Sequence, residues 1–147
     1  MSEANQAANL IQEYFINIFK HKYLLYQGRA RRKEFWLFNL FCFICSLILN
    51  VIPFLGLLFS LGVILPSVCL GIRRLHDIGK SGWLILVFYG VLFMGVCIIG
   101  LSIGAESMLI AIVGTVILLA DIVIMLVFLC QDSQPGENKY GPNPKGT

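Results

Sequence analysis

Residues 54–83 read FLGLLFSLGVILPSVCLGI, then RRLHDIGKSG, then W: an apolar run, a short basic segment and the start of a second apolar run. Similar apolar runs occupy residues 35–52, 83–101 and 108–130. A helix rises about 1.5 Å per residue, so each run is long enough to cross roughly 30 Å of hydrocarbon. The sequence therefore predicts an all-α membrane protein with four transmembrane helices.

The composition agrees with lipid, rather than water, as the solvent of this chain. Of its 147 residues, 58% are hydrophobic and only 13% are charged. A chain of this length is expected to form one domain at most. A soluble domain of this size would expose far more polar surface. The first residues are polar and carry no apolar segment, so no cleavable signal peptide is expected, and the first apolar run should direct insertion.

The eleven Lys and Arg residues predict the orientation in the membrane. Six precede the first apolar run, three lie between the second and third runs, and two follow the fourth. The other two connections contain none. Because basic loops stay on the cytoplasmic side, the chain is expected to be multi-pass, with both termini in the cytoplasm.

Three parts of the chain are distinguished by their composition. Residues 1–22 are predicted to form a loose polar tail (1–9) followed by an amphipathic helix, whose apolar positions are Leu10, Ile11, Tyr14, Phe15, Ile18 and Phe19. This interfacial helix either lies in the headgroup plane or packs its apolar face against the membrane helices. Residues 23–130 are the membrane domain. Residues 131–147 are polar and rich in Pro and Gly, so they are expected to form turns.

Two basic clusters adjoin the apolar runs and are the candidate binding residues. The first contains Arg29, Arg31, Arg32 and Lys33, and the second contains Arg73, Arg74, His76 and Asp77. They lie at the same ends of neighbouring runs, so they should face each other, with Glu34 and Asp77 neutralising part of the charge.

The remaining positive charge of the two clusters suits the phosphate groups of anionic lipid, because Arg offers a planar fork of donors. A protein partner or a second copy of the chain is an alternative to lipid as the ligand of these clusters. Nucleic acid is not expected beside apolar runs. The alternative is that the clusters only anchor the topology and form salt bridges. Trp36 and Trp83 are predicted to mark the interface between water and lipid.

The sequence offers little for catalysis, metals or cofactors. His76 beside Asp77 allows an acid–base reaction at the interface, but no nucleophile accompanies them, so the chain is not predicted to be an enzyme. Cys42 and Cys45 form a CxxC pair inside an apolar run, where inert thiols are expected. No metal site and no cofactor are predicted, because no His or second Cys pair stands at ligand spacing.

Asp121 is the one acidic residue deep inside an apolar run, nine residues before Cys130 or roughly 13 Å along a helix. An ionised Asp there costs about 2.5–3.5 kcal/mol on insertion scales, so it needs a partner or a proton. Tyr89 lies at a similar depth and is the favoured hydrogen-bond partner, with Ser46 as the second candidate. The alternative function is a small transporter or channel that uses Asp121.

Three motifs resemble one known family. Residues 26–36 (YQGRARRKEFW), 73–83 (RRLHDIGKSGW) and 136–144 (GENKYGPNP) are similar, in this order, to the signatures of the small bacterial inner-membrane proteins called domain of unknown function 805. The resemblance spans roughly residues 23–145. It implies a location in the bacterial inner, or plasma, membrane, and it implies no established activity and no catalytic residues.

After the central motif, this chain differs from similar proteins in the length of its apolar sequence. Similar proteins often carry one short apolar stretch there, whereas residues 83–130 are long enough for two helices. If the tail is cytoplasmic, it is expected to cover the two basic clusters, with Glu137 meeting an Arg. The sequence thus predicts a non-enzymatic membrane module that binds anionic lipid or a partner through a basic cytoplasmic collar.

Overall fold

The computed structural model describes residues 3–146, and the regular elements in that range are helices. They are α1 (Glu3–Ile11), α2 (Asn17–His21), α3 (Arg32–Leu49), α4 (Pro53–Asp77), α5 (Trp83–Gly104) and α6 (Met108–Cys130). A π-helical segment, Gln12–Ile16, joins α1 to α2. The predicted all-α class is confirmed.

Three helices are long and apolar enough to cross a membrane: Phe54–Asp77 within α4, α5 and α6. α3 is not among them, because its first turn carries Arg32, Lys33 and Glu34. Its apolar part is limited to residues 35–49. The prediction of four crossing helices is therefore supported for three of them, and the crossing of α3 stays a prediction.

The N-terminal segment is more ordered than the loose tail predicted for residues 1–9. α1 begins at Glu3, and its sequence EANQAANLI contains Ala residues with high helix propensity. Residues 1 and 2 lie outside the described part of the chain. The apolar face of the segment packs on α3: Ile18 is fully buried, and the rings of Phe15 and Phe19 lie 6.0 and 5.8 Å from that of Phe38.

The four long helices form two antiparallel hairpins, α3–α4 and α5–α6. A short turn at residues 50–52 joins α3 to α4, and α4 continues without a break through Pro66. In the second hairpin, Gly95 and Gly114 allow close approach, since a Cβ on Gly114 would lie 2.8 Å from Ile99 Cγ1. Gly100 and Gly104, near the far end of α5, have nothing within 4 Å of a Cβ placed at either position.

The buried core lies where the two hairpins and α2 meet. Its members are Ile18, Ala30, Phe35, Phe38, Cys42, Leu70 and Leu129. At this level α3 and α5 begin, and α4 and α6 end. Residues 28–34, 73–82 and 131–145 gather there, and we call this part of the molecule the basic end. The outward surfaces beyond it are apolar and exposed, as expected for helices that face lipid.

A buried ionic cap at the basic end

Asp77, the last residue of α4, is the centre of the candidate site. Its carboxylate is fully buried and accepts hydrogen bonds from Arg29 Nε at 3.0 Å, Arg74 Nη1 at 2.6 Å and Ser133 Oγ at 2.5 Å. Arg29 precedes α3, and Ser133 follows α6. One carboxylate therefore joins three parts of the chain, each from a different motif or from the tail.

The end of α4 presents this carboxylate in a defined position. Arg74 and Asp77 are three residues apart, so they share one face of the helix. Gly79 then stops the helix with a φ of +73°, and its N–H donates to His76 O at 3.0 Å. Such a left-handed residue after a helix favours glycine, which has no Cβ penalty there.

The two arginines carry more positive charge than Asp77 offsets, and backbone carbonyls supply the rest. Arg74 Nε donates to Leu129 O at 3.0 Å, and its Nη2 donates to Gln131 O. Leu129 is in the last turn of α6 and Gln131 is the residue directly after it, so both carbonyls lie at the negative end of the helix dipole. Arg29 donates to Gln134 O at 2.6 Å and to Gly136 O at 2.8 Å. We call Asp77, Arg29, Arg74 and Ser133, together with these backbone carbonyls, the ionic cap. The cap thus depends on the backbone of the tail.

His76 holds the tail from the other side. Its ring stacks on Tyr140 with centroids 3.7 Å apart and an interplanar angle of 8°. Its Nδ1 lies 3.2 Å from Gly28 O, and its own carbonyl accepts from Asn138 Nδ2 at 3.0 Å. His76 is therefore engaged within the protein, and Asp77 pairs with arginines and Ser133 rather than with His76.

A second ion-pair group lies beside the cap. Glu34 accepts from Arg73 at 3.1 Å and from Lys22 at 3.0 Å. The carbonyl of Arg73 accepts from the N–H of Ala30 at 3.0 Å, so backbone and side chain both join α4 to the segment before α3. The two basic clusters face each other, as predicted, and Glu34 and Asp77 neutralise part of their charge.

A third group ties the tail to α3 at the surface. Asp132 pairs with Arg32 at 3.1 Å and with Lys145. The hydrogen bond from Lys145, followed by that from Ser133 N–H, holds the pKa of Asp132 below its usual value. The expected partner from the tail was Glu137. That expectation is wrong for the described residues, because the tail offers Arg29 its carbonyls and offers Arg32 the carboxylate of Asp132, while Glu137 stays exposed.

Burial divides the predicted binding residues into two sets. Arg29, Arg73, Arg74, His76 and Asp77 are buried in contacts within the chain, so in this conformation they present little surface to a phosphate group. Arg32 is half-buried against Asp132. Arg31 and Lys33 are exposed. Arg74, His76 and Asp77 of the second cluster contact the tail, as does Arg29 of the first. The role of the two clusters in binding lipid or a partner stays a prediction.

Of the eleven Lys and Arg residues of the chain, six pair with a carboxylate. The other five form no ion pair within residues 3–146 and are exposed: Lys20, Arg31, Lys33, Lys80 and Lys139. Lys33 lies 5.4 Å from the centre of the Tyr14 ring. Trp36 and Trp83 stand at the starts of α3 and α5 with 38% and 74% of their surface exposed. Their role at a lipid interface stays a prediction.

The predicted hydrogen bond between Asp121 and Tyr89 is not formed. Asp121 is 6% exposed, and its buried Oδ2 contacts no hydrogen-bond partner within the described residues. Tyr89 lies instead on the side of α5 that faces α3 and α4, where it lines a cleft, and 41% of it is exposed. Ser46, the second candidate, donates to Phe43 O at 2.9 Å. Asp121 and Tyr89 lie at similar depths along α6 and α5, but their side chains do not face each other.

Metal and disulfide chemistry finds no support among the described residues. All five cysteines are free, including Cys42 and Cys45. Within residues 3–146, no group of three or more His, Cys, Asp or Glu side chains is arranged to hold a metal ion.

Comparison with known proteins finds relatives that are similar over most of the chain. The chain is 33% identical over 141 residues to the inner membrane protein YhaI of Escherichia coli strain K12, covering 90% of this chain and 96% of that protein. It is 30% identical over 145 residues to the inner membrane protein YhaH of the same strain, covering 90% and 97%. No solved structure matches.

The family described as "Protein of unknown function (DUF805)" matches residues 23–142, a range that contains Arg29, both basic clusters, all four long helices and most of the tail. Its relatives are inner membrane proteins. The chain therefore belongs to the DUF805 family of inner membrane proteins.

Proposed function

We propose that this protein is a four-span, non-enzymatic module of the inner membrane that binds anionic phospholipid through the exposed cations of its basic end. The proposal rests on one observation: some cations form ion pairs within the protein, and the others are exposed without such a partner. Six cations are consumed by internal ion pairs, whereas Lys20, Arg31, Lys33, Lys80 and Lys139 remain exposed without a carboxylate partner among residues 3–146. Each such cation near an anionic membrane surface contributes about 1 kcal/mol.

Exposed apolar residues beside these cations favour lipid over a protein partner. The loop before α3 exposes Leu24 (62%), Leu25 (41%) and Tyr26 (55%), and Trp83 is 74% exposed at the start of α5. Apolar and basic side chains at one level are typical of an interface with headgroups and acyl chains.

Four crossings, with both termini in the cytoplasm, fit the hairpin arrangement. α3 runs antiparallel to α4 and begins at the level where α4 ends, because Ala30 N–H donates to Arg73 O and Arg29 pairs with Asp77. Its apolar residues 35–49 therefore lie beside a helix of full span length. Crossing by all four long helices keeps all eleven basic residues on one side, which is the side that the positive-inside rule assigns to the cytoplasm.

The test compares lipid selection by the wild type and by an Arg31→Gln/Lys33→Gln variant. In nanodiscs, quenching of tryptophan fluorescence by labelled phosphatidylglycerol and labelled phosphatidylcholine gives the preference for the anionic lipid. The double variant should lose about fivefold of that preference per cation, as expected for about 1 kcal/mol each. Glu137→Gln is the matched control, since it changes an exposed charge of the same end in the opposite direction.

Unchanged preference in the double variant, together with an unchanged melting temperature, would remove lipid binding from these residues. Orientation is tested separately by fusing a reporter to the C-terminus. Activity of a periplasm-specific reporter at that position would contradict the four-span topology.

A small transporter or channel is the second candidate, and the buried Asp121 Oδ2 favours it, since it has no partner among residues 3–146. Proton or ion flux into proteoliposomes that disappears in Asp121→Asn, with the protein still folded, would support this function. Flux that is unchanged by the substitution would exclude Asp121 from it.

A further inference from the structure

A cleft separates the two hairpins away from the basic end. It has a volume of about 850 Å³ and lies among α3, α4 and α5. Most of its lining is apolar, but Asn39, Ser46, Ser60, Ser67 and Tyr89 also line it. Small-molecule sites commonly have volumes of roughly 300–1,000 Å³, apolar walls and a few placed polar groups, and this cleft matches that description.

The polar groups of the cleft differ in how they are satisfied. Asn39 donates to Phe35 O at 2.8 Å and Ser46 donates to Phe43 O at 2.9 Å, so both are satisfied within α3. The hydroxyls of Ser60, Ser67 and Tyr89 donate to no acceptor within residues 3–146. Serine and threonine in helices often bond back to a carbonyl one turn earlier, as Thr115 does with Ala111 O at 2.8 Å. The hydroxyls on the α4 and α5 sides of the cleft are therefore available to a ligand.

The depth of these hydroxyls determines which molecules reach them. Tyr89 lies six residues after Trp83, about 9 Å along the helix, and Ser67 lies ten residues before Asp77, about 15 Å. The headgroup region is only about 5–7 Å thick on each side of the hydrocarbon core. With Trp83 and Asp77 placed at the outer edge of the headgroup region, the hydroxyls lie deeper than the ester groups of a phospholipid and away from water, where an unsatisfied donor is costly.

We propose that this cleft binds a lipid-soluble small molecule whose apolar body carries carbonyl-type hydrogen-bond acceptors. Ser67 and Tyr89 donate to the acceptor from opposite walls, α4 and α5, while the apolar side chains of α3 and α4 surround the body of the ligand. Ser60 lies two helical turns from Ser67 on the same wall and serves an acceptor farther along the molecule. The proposal is independent of lipid binding at the basic end, since it uses none of the exposed cations.

The test uses decylubiquinone as the probe and decylbenzene, which has no carbonyl oxygen, as the comparison probe. Both are titrated into the full-length protein in phosphatidylcholine nanodiscs, with tryptophan fluorescence and melting temperature as readouts. Wild type should bind decylubiquinone saturably and be stabilised by it, and it should bind decylbenzene at least about tenfold more weakly.

Variants assign the effect to the hydroxyls. Ser67→Ala/Tyr89→Phe should weaken decylubiquinone binding roughly tenfold and leave decylbenzene binding unchanged, since one or two hydrogen bonds are lost. Ser67→Ala alone should show part of the loss, which keeps the test valid if the double variant folds poorly. Ser46→Ala is the matched control, because Ser46 lines the same cleft but its hydroxyl is already bonded to Phe43 O.

Equal binding of the two probes, or equal affinity of wild type and Ser67→Ala, would overturn the proposal. So would native mass spectrometry that finds only phospholipid in the purified protein and no displacement of it by decylubiquinone. In either case the cleft is filled by acyl chains without recognition of a carbonyl group.

Discussion

The basic end and the membrane-level body of this protein are held together in different ways. At the basic end, charged side chains are buried, and Asp77 alone joins residues before α3, within α4 and after α6. In the body, the α5–α6 hairpin packs through Gly95 and Gly114, while a cleft of about 850 Å³ opens between the hairpins. The relative position of the two hairpins therefore depends on the ionic cap more than on helix packing.

Removing the central carboxylate should break the cap and have the largest effect. Asp77→Asn replaces one of the two carboxylate oxygens by an amide group that cannot accept a hydrogen bond, and it leaves the buried charges of Arg29 and Arg74 uncompensated. Breaking a buried ion pair in this way costs about 3–5 kcal/mol. The free energy of unfolding, measured by detergent denaturation in mixed micelles, should fall by about that amount.

Asp121→Asn sharpens the comparison, because it makes the same chemical change at a buried Asp in the body. Asp121 Oδ2 bonds to no partner within residues 3–146, so the amide loses no hydrogen bond there. Its effect on unfolding should stay within about 1 kcal/mol. Equal losses for the two variants would show that the cap does not dominate stability.

Two glycine substitutions should change stability in opposite directions. Gly79→Ala at the basic end forces a Cβ into a left-handed residue and to 2.5 Å from Gln134 Oε1, so it should cost about 1–2 kcal/mol. Gly90→Ala in the body meets nothing within 4 Å and removes a glycine from a helix interior, so it should stabilise by about 0.5–1 kcal/mol. Thermal unfolding in detergent compares both with the wild type.

A destabilising Gly90→Ala would reveal a close neighbour at that position, such as a second copy of the chain. A neutral Gly79→Ala would mean that the turn after α4 adapts and that Gln134 moves aside at no cost. Either result would weaken the contrast between a tightly bonded basic end and an open body.

Much of the fold was predictable because two simple signals encode it. The apolar runs match α6 in full and α5 except for its last three residues. They missed the charged first turn of α3 and the last turn of α4, and the first run extended three residues beyond the end of α3. The position of charged residues at the ends of these runs predicted that the two basic clusters would face each other, with Glu34 and Asp77 neutralising part of their charge. The length of an apolar run and the charges at its ends are both visible in the sequence, so they are sufficient to predict which helix ends lie together.

The site itself was less predictable, because its bonds are not between side chains alone. Arg29 and Arg74 donate to backbone carbonyls of Gln134 and Leu129, and every residue has such a carbonyl, so no residue type marks the acceptors. Ser133 was missed for a similar reason: it is an ordinary tail residue until the tail folds over α4. The hydrogen bond between Tyr89 and Asp121 was predicted from depth, but depth does not determine the side of the helix on which a residue lies.

The smallest expected effect concerns Asp132, which ties the tail to the surface of the cap. Hydrogen bonds from Lys145 and Ser133 N–H lower its pKa in the folded protein, so its contribution to stability is present above the usual Asp pKa of about 3.9 and is lost as the pH falls through the lower, folded value. The melting temperature of Asp132→Asn should therefore lie slightly below that of the wild type at about pH 6 and converge with it as the pH falls through the folded pKa of Asp132. The difference should also shrink in about 0.5 M salt, because Asp132 is 60% exposed at its side chain and its ion pairs are screened. A difference that persists at low pH would mean that the asparagine disturbs the tail by some means other than its lost charge.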